Sequence, residues 1–107
     1  MQYLVVFCTC PDEETALSLA KKLVETKLAA CVNLMPSLQS VYQWKNQIET
    51  AKEVLMILKT NAQAYKKLET FLQKAHPYEC PEIIAVPITQ GLPGYLKWID
   101  ESLLNTH

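Results

Sequence analysis

Apolar positions along the chain follow two periods, and the changes between them mark the elements. Tyr3 to Cys8 is an unbroken apolar run rich in β-branched and aromatic types, so Gln2 to Cys10 is predicted as a buried strand that Pro11 ends. Asp12 then offers a helix-capping acceptor, and Glu13 and Glu14 put negative charge in the first turn, where the helix dipole favours it. Ala16, Leu19, Ala20, Leu23 and Val24 recur on one helical face, predicting a helix to about Lys27. Ala29 to Met35 is a second apolar run, stopped by Pro36. Ser37 to Asn46 continues as an extended arm, with Val41, Tyr42 and Trp44 among polar residues. Gln47 to Thr60 returns as a strand, apolar without a break from Val54 to Leu58. Thr60 or Asn61 caps a second helix, whose stripe is Tyr65, Leu68, Leu72 and Ala75. His76-Pro77 ends it, because a residue before proline is pushed out of helical geometry. Ile83 to Ile88 is a fourth strand, and Pro87 inside it lacks a ladder donor, which argues for a sheet edge. Gly91 to Gly94 is read as a turn, and Tyr95 to Leu104 as a last helix with Leu96, Ile99 and Leu103 on one side.

The order β-α-β-β-α-β plus a terminal helix is the α+β, ferredoxin-like pattern, an antiparallel sheet with helices on one face. A half-solvated antiparallel sheet alternates apolar and polar residues. Leu4 to Cys8, Val54 to Leu58 and Ile83 to Val86 do not alternate, so the second face needs a cover. No segment of the pattern is left to supply one, and another copy of the chain is the simplest candidate. A strand from Gln47 to Thr60 spans ~45 Å at ~3.3 Å per residue, so its hairpin with the arm overshoots the domain. Tyr42 and Trp44 share one face of that arm, either packing on their own helices or anchoring a neighbouring subunit.

Composition narrows the function. With 107 residues and no break in composition, one domain over residues 1–107 is expected. Its 50% hydrophobic content also favours a covered face. All ten positive residues are lysines, and the net charge is −1. Without arginine forks or a basic stripe, nucleic acid is not an expected partner. No run approaches the ~20 apolar residues of a membrane span, and no signal peptide is recognised, so the expectation is a soluble cytoplasmic protein with its four cysteines reduced.

Candidate chemistry is sparse. The only histidines are His76 and His107, and neither a nucleophile elbow nor a glycine-rich phosphate loop exists, so no enzyme is expected. Cys8 and Cys10, two apart on a strand, point to one face, as buried core or as a pair of metal ligands. Cys31 reads as core, while Cys80 lies in a polar link and reads as more exposed. His76, beside Glu79 and Glu82, is either a helix-terminal surface residue or a ligand. Thiolate, imidazole and carboxylate together suit copper or zinc, and thiolate favours Cu(I).

Taken together, Cys8-Thr9-Cys10-Pro11-Asp12, Lys27 to Asn33, Tyr42-Gln43-Trp44, Glu53 to Thr60, His76-Pro77-Tyr78 with Pro81-Glu82, and Tyr95 to Ile99 resemble the CutA divalent-cation-tolerance family across nearly the whole chain. The resemblance implies a ferredoxin-like protomer, a homotrimer similar in architecture to PII signalling proteins, and copper binding in metal-ion tolerance without catalysis. By position it implies metal ligands at Cys8, His76 and Glu82. Some relatives carry a further histidine where this chain has Ala75, and Cys10 is a substitute if it faces the same cleft. The alternative function is a PII-like signalling or scaffold module, binding a small ligand or protein in a subunit cleft lined by Lys59, Trp44 and Glu82, with metal incidental.

Overall fold

Strand, helix and turn signals convert into seven elements in the computed structural model, which describes residues 2–103. β1 (Tyr3–Cys10), α1 (Glu13–Glu25), β2 (Cys31–Trp44), β3 (Gln47–Asn61), α2 (Ala62–Ala75), β4 (Ile83–Ile88) and α3 (Pro93–Ser102) follow one another. The four strands form one antiparallel sheet in the order β2-β3-β1-β4, the ferredoxin-like arrangement expected. Leu4, Val6, Cys8 and Cys10 of β1 and Val54, Met56 and Leu58 of β3 point to one side and pack against Leu19, Leu23, Leu68 and Leu72 of the two helices. That layer is the main core.

Each helix end has a local cause. The Asp12 carboxylate accepts from Thr15 N–H at 2.8 Å and opens α1. Its end comes two residues before the expected Lys27, in a Schellman turn. Lys27 takes φ 60°, its N–H reaches Val24 O, and Leu28 N–H reaches Leu23 O. Leu28 and Leu23 then meet in the core, as such turns favour. Val24, assigned to the buried stripe, is exposed, and so is Ala75 at the end of α2. Asn61, rather than Thr60, caps α2 by accepting from Ala64 N–H at 3.0 Å. The Thr60 hydroxyl is turned inward and donates to Leu28 O at 2.8 Å. α3 begins at Pro93, a favoured first helical residue, so Gly94 lies inside the helix rather than in a turn. Leu104, the expected end of that helix, and His107 lie outside the described residues.

Pro36 does not stop β2. The pairing with β3 shifts between Met35 and Leu38, leaving Pro36 and Ser37 out of the ladder in a bulge where Ser37 takes φ 66°. A residue without an N–H costs nothing at a position that makes no ladder bond. β2 is also an edge strand, as is β4, where Pro87 sits as expected. The hairpin runs unbroken to Trp44 opposite Gln47, and it stretches the molecule to 44 × 26 × 22 Å. Lys45 and Asn46 close it with φ of 50° and 67°, both in the left-handed region that a two-residue hairpin turn of this hand requires. Glycine tolerates that region better than asparagine. Asn46→Gly is expected to raise stability by about 0.5–1 kcal/mol, read as a higher urea midpoint at unchanged slope.

The sheet's second side is partly covered from within. Tyr3 Oη and Asn61 Nδ2 both donate to the Asp100 carboxylate, at 2.6 and 3.0 Å, and Cys31 Sγ lies 3.4 Å from Tyr95 Oη. Tyr3, Asn61 and Cys31 share the side opposite the main core by register, so α3 lies over that end. The expectation that no segment could cover this side is corrected to that extent. Cys31 is half-buried rather than core. Beyond α3 the side stays open: Met35, Ile84 and Val86 are 52%, 53% and 46% exposed.

Candidate metal centre

The alternation of β1 sends Cys8 and Cys10 to the helix-covered side at the strand's last turn, with Met56 paired directly to Cys8 across β3. His76 arrives from the other direction. As the residue before Pro77 it adopts ψ 140°, which ends α2 and swings the imidazole over the end of β1. The two sulfurs and a ring nitrogen lie within 4.8 Å of one another, and all three side chains are buried. Cys10 Sγ is 3.7 Å from His76 Nε2 and 3.2 Å from Met56 Sδ.

The partners of the imidazole define its tautomer. Nε2 lies 2.7 Å from Thr9 O, and a carbonyl only accepts, so Nε2 carries the proton. Nδ1 accepts from Tyr78 N–H at 3.1 Å. Both nitrogens are engaged with backbone groups, and the ring ties the segment after α2 to β1. Coordination through Nε2 would forfeit the Thr9 bond and move the ring proton to Nδ1, where it would face the Tyr78 N–H.

The thiols are unequal. The neighbouring Cys8 thiol draws the Cys10 proton affinity below that of an ordinary cysteine, against the effect of burial. Cys8 is pushed well up by the same contact, then by burial and by the charges of Cys10, Glu82 and Glu53. Thiolate is the metal-binding form, so loading the site releases protons from the pair. Donors bonded to one ion at ~2.0–2.3 Å lie no more than ~4.6 Å apart. The cluster needs little closing to hold a metal ion, and its two thiols, thioether and imidazole are soft or borderline donors that suit Cu(I) or zinc.

Of the sequence-derived ligands, Cys8 and His76 are brought together here. Glu82 is exposed at the foot of β4 and stands outside the group of three, acting on Cys8 through its charge alone. Cys10 takes a place in its stead. Met56 escaped the sequence reading because a methionine within Val54 to Leu58 looks like core filling. Its signal was the pairing register with Cys8, which requires the strands to be aligned first.

Next to the cluster, between the arm and the segment following α2, opens a cleft of 620 Å³. Trp44 and Glu82 line it, as expected of a ligand cleft, together with Tyr42, Tyr78, Glu53 and Glu79. Lys59 does not; it donates to Asn33 on the open side of the sheet. Tyr78 Oη donates to Glu53 Oε2 at 2.7 Å. Burial, then that bond and the Glu53 charge, push the phenol well above its ordinary range, so Tyr78 stays a donor.

Comparison with known proteins places this geometry in a family. The family model described as CutA1 divalent ion tolerance protein matches residues 4–102. The mouse protein CutA is 47% identical over 95 residues, covering 89% of this chain and 54% of its own length. The divalent-cation tolerance protein CutA of Thermus thermophilus is 45% identical over 98 residues, covering 92% of this chain and 95% of its own. The chain thus spans about half the length of the mouse relative and nearly all of the bacterial one. Among solved structures, CutA1 from Oryza sativa superposes with a TM-score of 0.96 at 37% identity, covering 99% of this chain and 97% of that one. The Thermus thermophilus structure gives 0.92 at 44% identity, covering 94% and 98%. The chain belongs to the CutA1 divalent ion tolerance family.

Proposed function

We propose that this chain serves metal-ion tolerance as a homotrimeric binding protein rather than an enzyme, taking up copper as Cu(I) at Cys8 and Cys10. The observation that carries the reading is the buried trio of Cys8, Cys10 and His76 with Met56 Sδ against Cys10. Soft sulfur donors prefer Cu(I) among the metals of a cell, with zinc the next candidate. Relatives of matching length are named divalent-cation tolerance proteins, which supports the wider role. A binding role also fits the histidine: held by backbone at both nitrogens, it is not free to serve either thiol as a base. A reducing compartment such as the cytoplasm keeps both thiols competent.

Trimeric assembly is supported by the open side of the sheet and by the long arm. Met35, Ile84 and Val86 on the sheet and Val41 and Ile48 on the arm are large apolar side chains left exposed in one protomer. Such patches mark surfaces that another molecule covers. Tyr42 and Trp44 are also exposed, so they do not pack on the protomer's own helices.

Native mass spectrometry of the reduced protein, titrated separately with Cu(I), Cu(II) and Zn(II), tests both halves. The expected result is a trimer taking one Cu(I) per chain at equivalence. Graded adducts that grow only with excess metal would remove the site. A monomer would remove the assembly.

A further inference from the structure

The cleft beside the metal cluster contains a carboxylate that no cation among the described residues pairs with. Glu53 is only 7% exposed, yet it lines the cleft and makes no ion pair among the described residues. Its one recorded partner is the Tyr78 hydroxyl, on Oε2. A neutral donor leaves the full negative charge in place, and a buried carboxylate without a cation is costly to keep. Glu79 and Glu82 line the same space, and no lining residue is cationic. Three aromatic rings, Tyr42, Trp44 and Tyr78, line it as well, among small polar and apolar side chains. The register Leu38↔Glu53 continues to Ser40↔Ala51, Tyr42↔Glu49 and Trp44↔Gln47, so Tyr42 and Trp44 stand on the same side of the arm as Glu53. Tyr78 lies tilted against His76, with ring centroids 4.8 Å apart, and lines the cleft. Trp44 already holds one cation: Lys45 Nζ sits 5.9 Å from its ring centroid.

From these groups we infer that the cleft is a binding site for an organic ammonium ion, an alkyl amine in its protonated form. Its ammonium group donates hydrogen bonds to Glu53 and is drawn by Glu79 and Glu82. Its alkyl stem lies against Tyr42 and Trp44, whose ring faces attract cations. A metal ion is a poorer fit to this space, since three of the six named side chains would offer it apolar ring surface. The site is separate from the metal cluster: Cys80 lines the cleft, but Cys8, Cys10 and Met56 do not.

Isothermal calorimetry on the assembled, reduced protein, with 1,4-diaminobutane as ligand, tests this. Saturable binding is expected, with 1,4-butanediol, which keeps the stem and lacks the charge, at least about tenfold weaker. Glu53→Gln preserves shape and the Tyr78 contact, and should lower diamine affinity about tenfold. Trp44→Leu should lower it several-fold. Cys10→Ser should bind the diamine as the parent protein does, whatever it does to copper. Equal binding of diamine and diol would overturn the inference, as would equal competition by Mg²⁺, unchanged affinity in Glu53→Gln, or no saturable heat at millimolar diamine. Should Glu53→Gln fail to fold, the diol and Mg²⁺ comparisons with the parent protein decide the matter alone.

Discussion

Cys10→Ser is expected to weaken Cu(I) binding by roughly a hundredfold or more, because it removes a first ligand where loss of a supporting group already costs about 10–100-fold. Cys10 touches both Met56 Sδ and the imidazole. Cys8→Ser should have a similar effect, since one remaining thiolate cannot form a two-sulfur site. His76→Ala is expected to behave differently. It should keep Cu(I) affinity within about tenfold of the parent protein, since the imidazole must surrender two backbone bonds before it can ligate. It should instead lower stability by about 2 kcal/mol, because it strips partners from Thr9 O and Tyr78 N–H. Competition against a chromophoric Cu(I) chelator measures the first effect, and urea unfolding of metal-free protein the second. If all three variants lost copper equally, the imidazole would be a full ligand and the metal-free hydrogen bonds a state that opens on loading. If serine at either cysteine left affinity unchanged, the thiol site itself would be wrong.

Ile84→Glu combined with Val86→Glu is expected to convert the proposed trimer into monomers, seen as a threefold fall in mass by light scattering. Both side chains lie on β4, on the side of the sheet away from the helices, paired with Phe7 and Val5. They are about half exposed in one protomer, so a carboxylate there can reach water and should change monomer stability by only about 0.5 kcal/mol. In an assembly that buries this side, each substitution would exchange an apolar contact worth ~1.5–3 kcal/mol for a buried, unpaired charge. Retained far-ultraviolet circular dichroism would show that the protomers remain folded. An unchanged mass would mean that the open side is not the interface, and the assembly argument would have to rest on the arm alone.

Much of the fold was legible in the amino-acid order because its signals are local. The strand β4 was bounded correctly by its apolar run, and the start of α1 by Asp12 and its acidic first turn. His76-Pro77 marked the end of α2 by a steric clash confined to two residues. Errors arose where a local rule met a partner distant in sequence. Pro36 reads as a strand stop, yet a bulge opposite β3 absorbs it, and bulges belong to the pairing rather than to either strand. The exposed Val24 and Ala75 fit a helical stripe by period, but how wide a stripe is buried depends on the layer beneath it. The position of α3 over Tyr3, Asn61 and Cys31 was likewise invisible, since it is set by hydrogen bonds to Asp100 across most of the chain.

The candidate site divides along the same line. By itself, the amino-acid order determined that Cys8 and Cys10 share a face, since strand alternation is a property of the backbone, and that His76 closes a helix. It also showed strands without apolar–polar alternation and an arm too long for its own domain. Only the tertiary structure decided that the imidazole meets the thiols, that Met56 joins them while Glu82 stays outside, and that the ring's nitrogens are already engaged. It alone placed Glu53 in one cleft with Tyr42, Trp44 and Tyr78, with no ion pair among the described residues. The physical reason is range. Periodicity, capping and proline sterics act within a few residues, whereas donor distances, tautomers and charge compensation are set by groups tens of residues apart in sequence, brought together by strand register and helix packing.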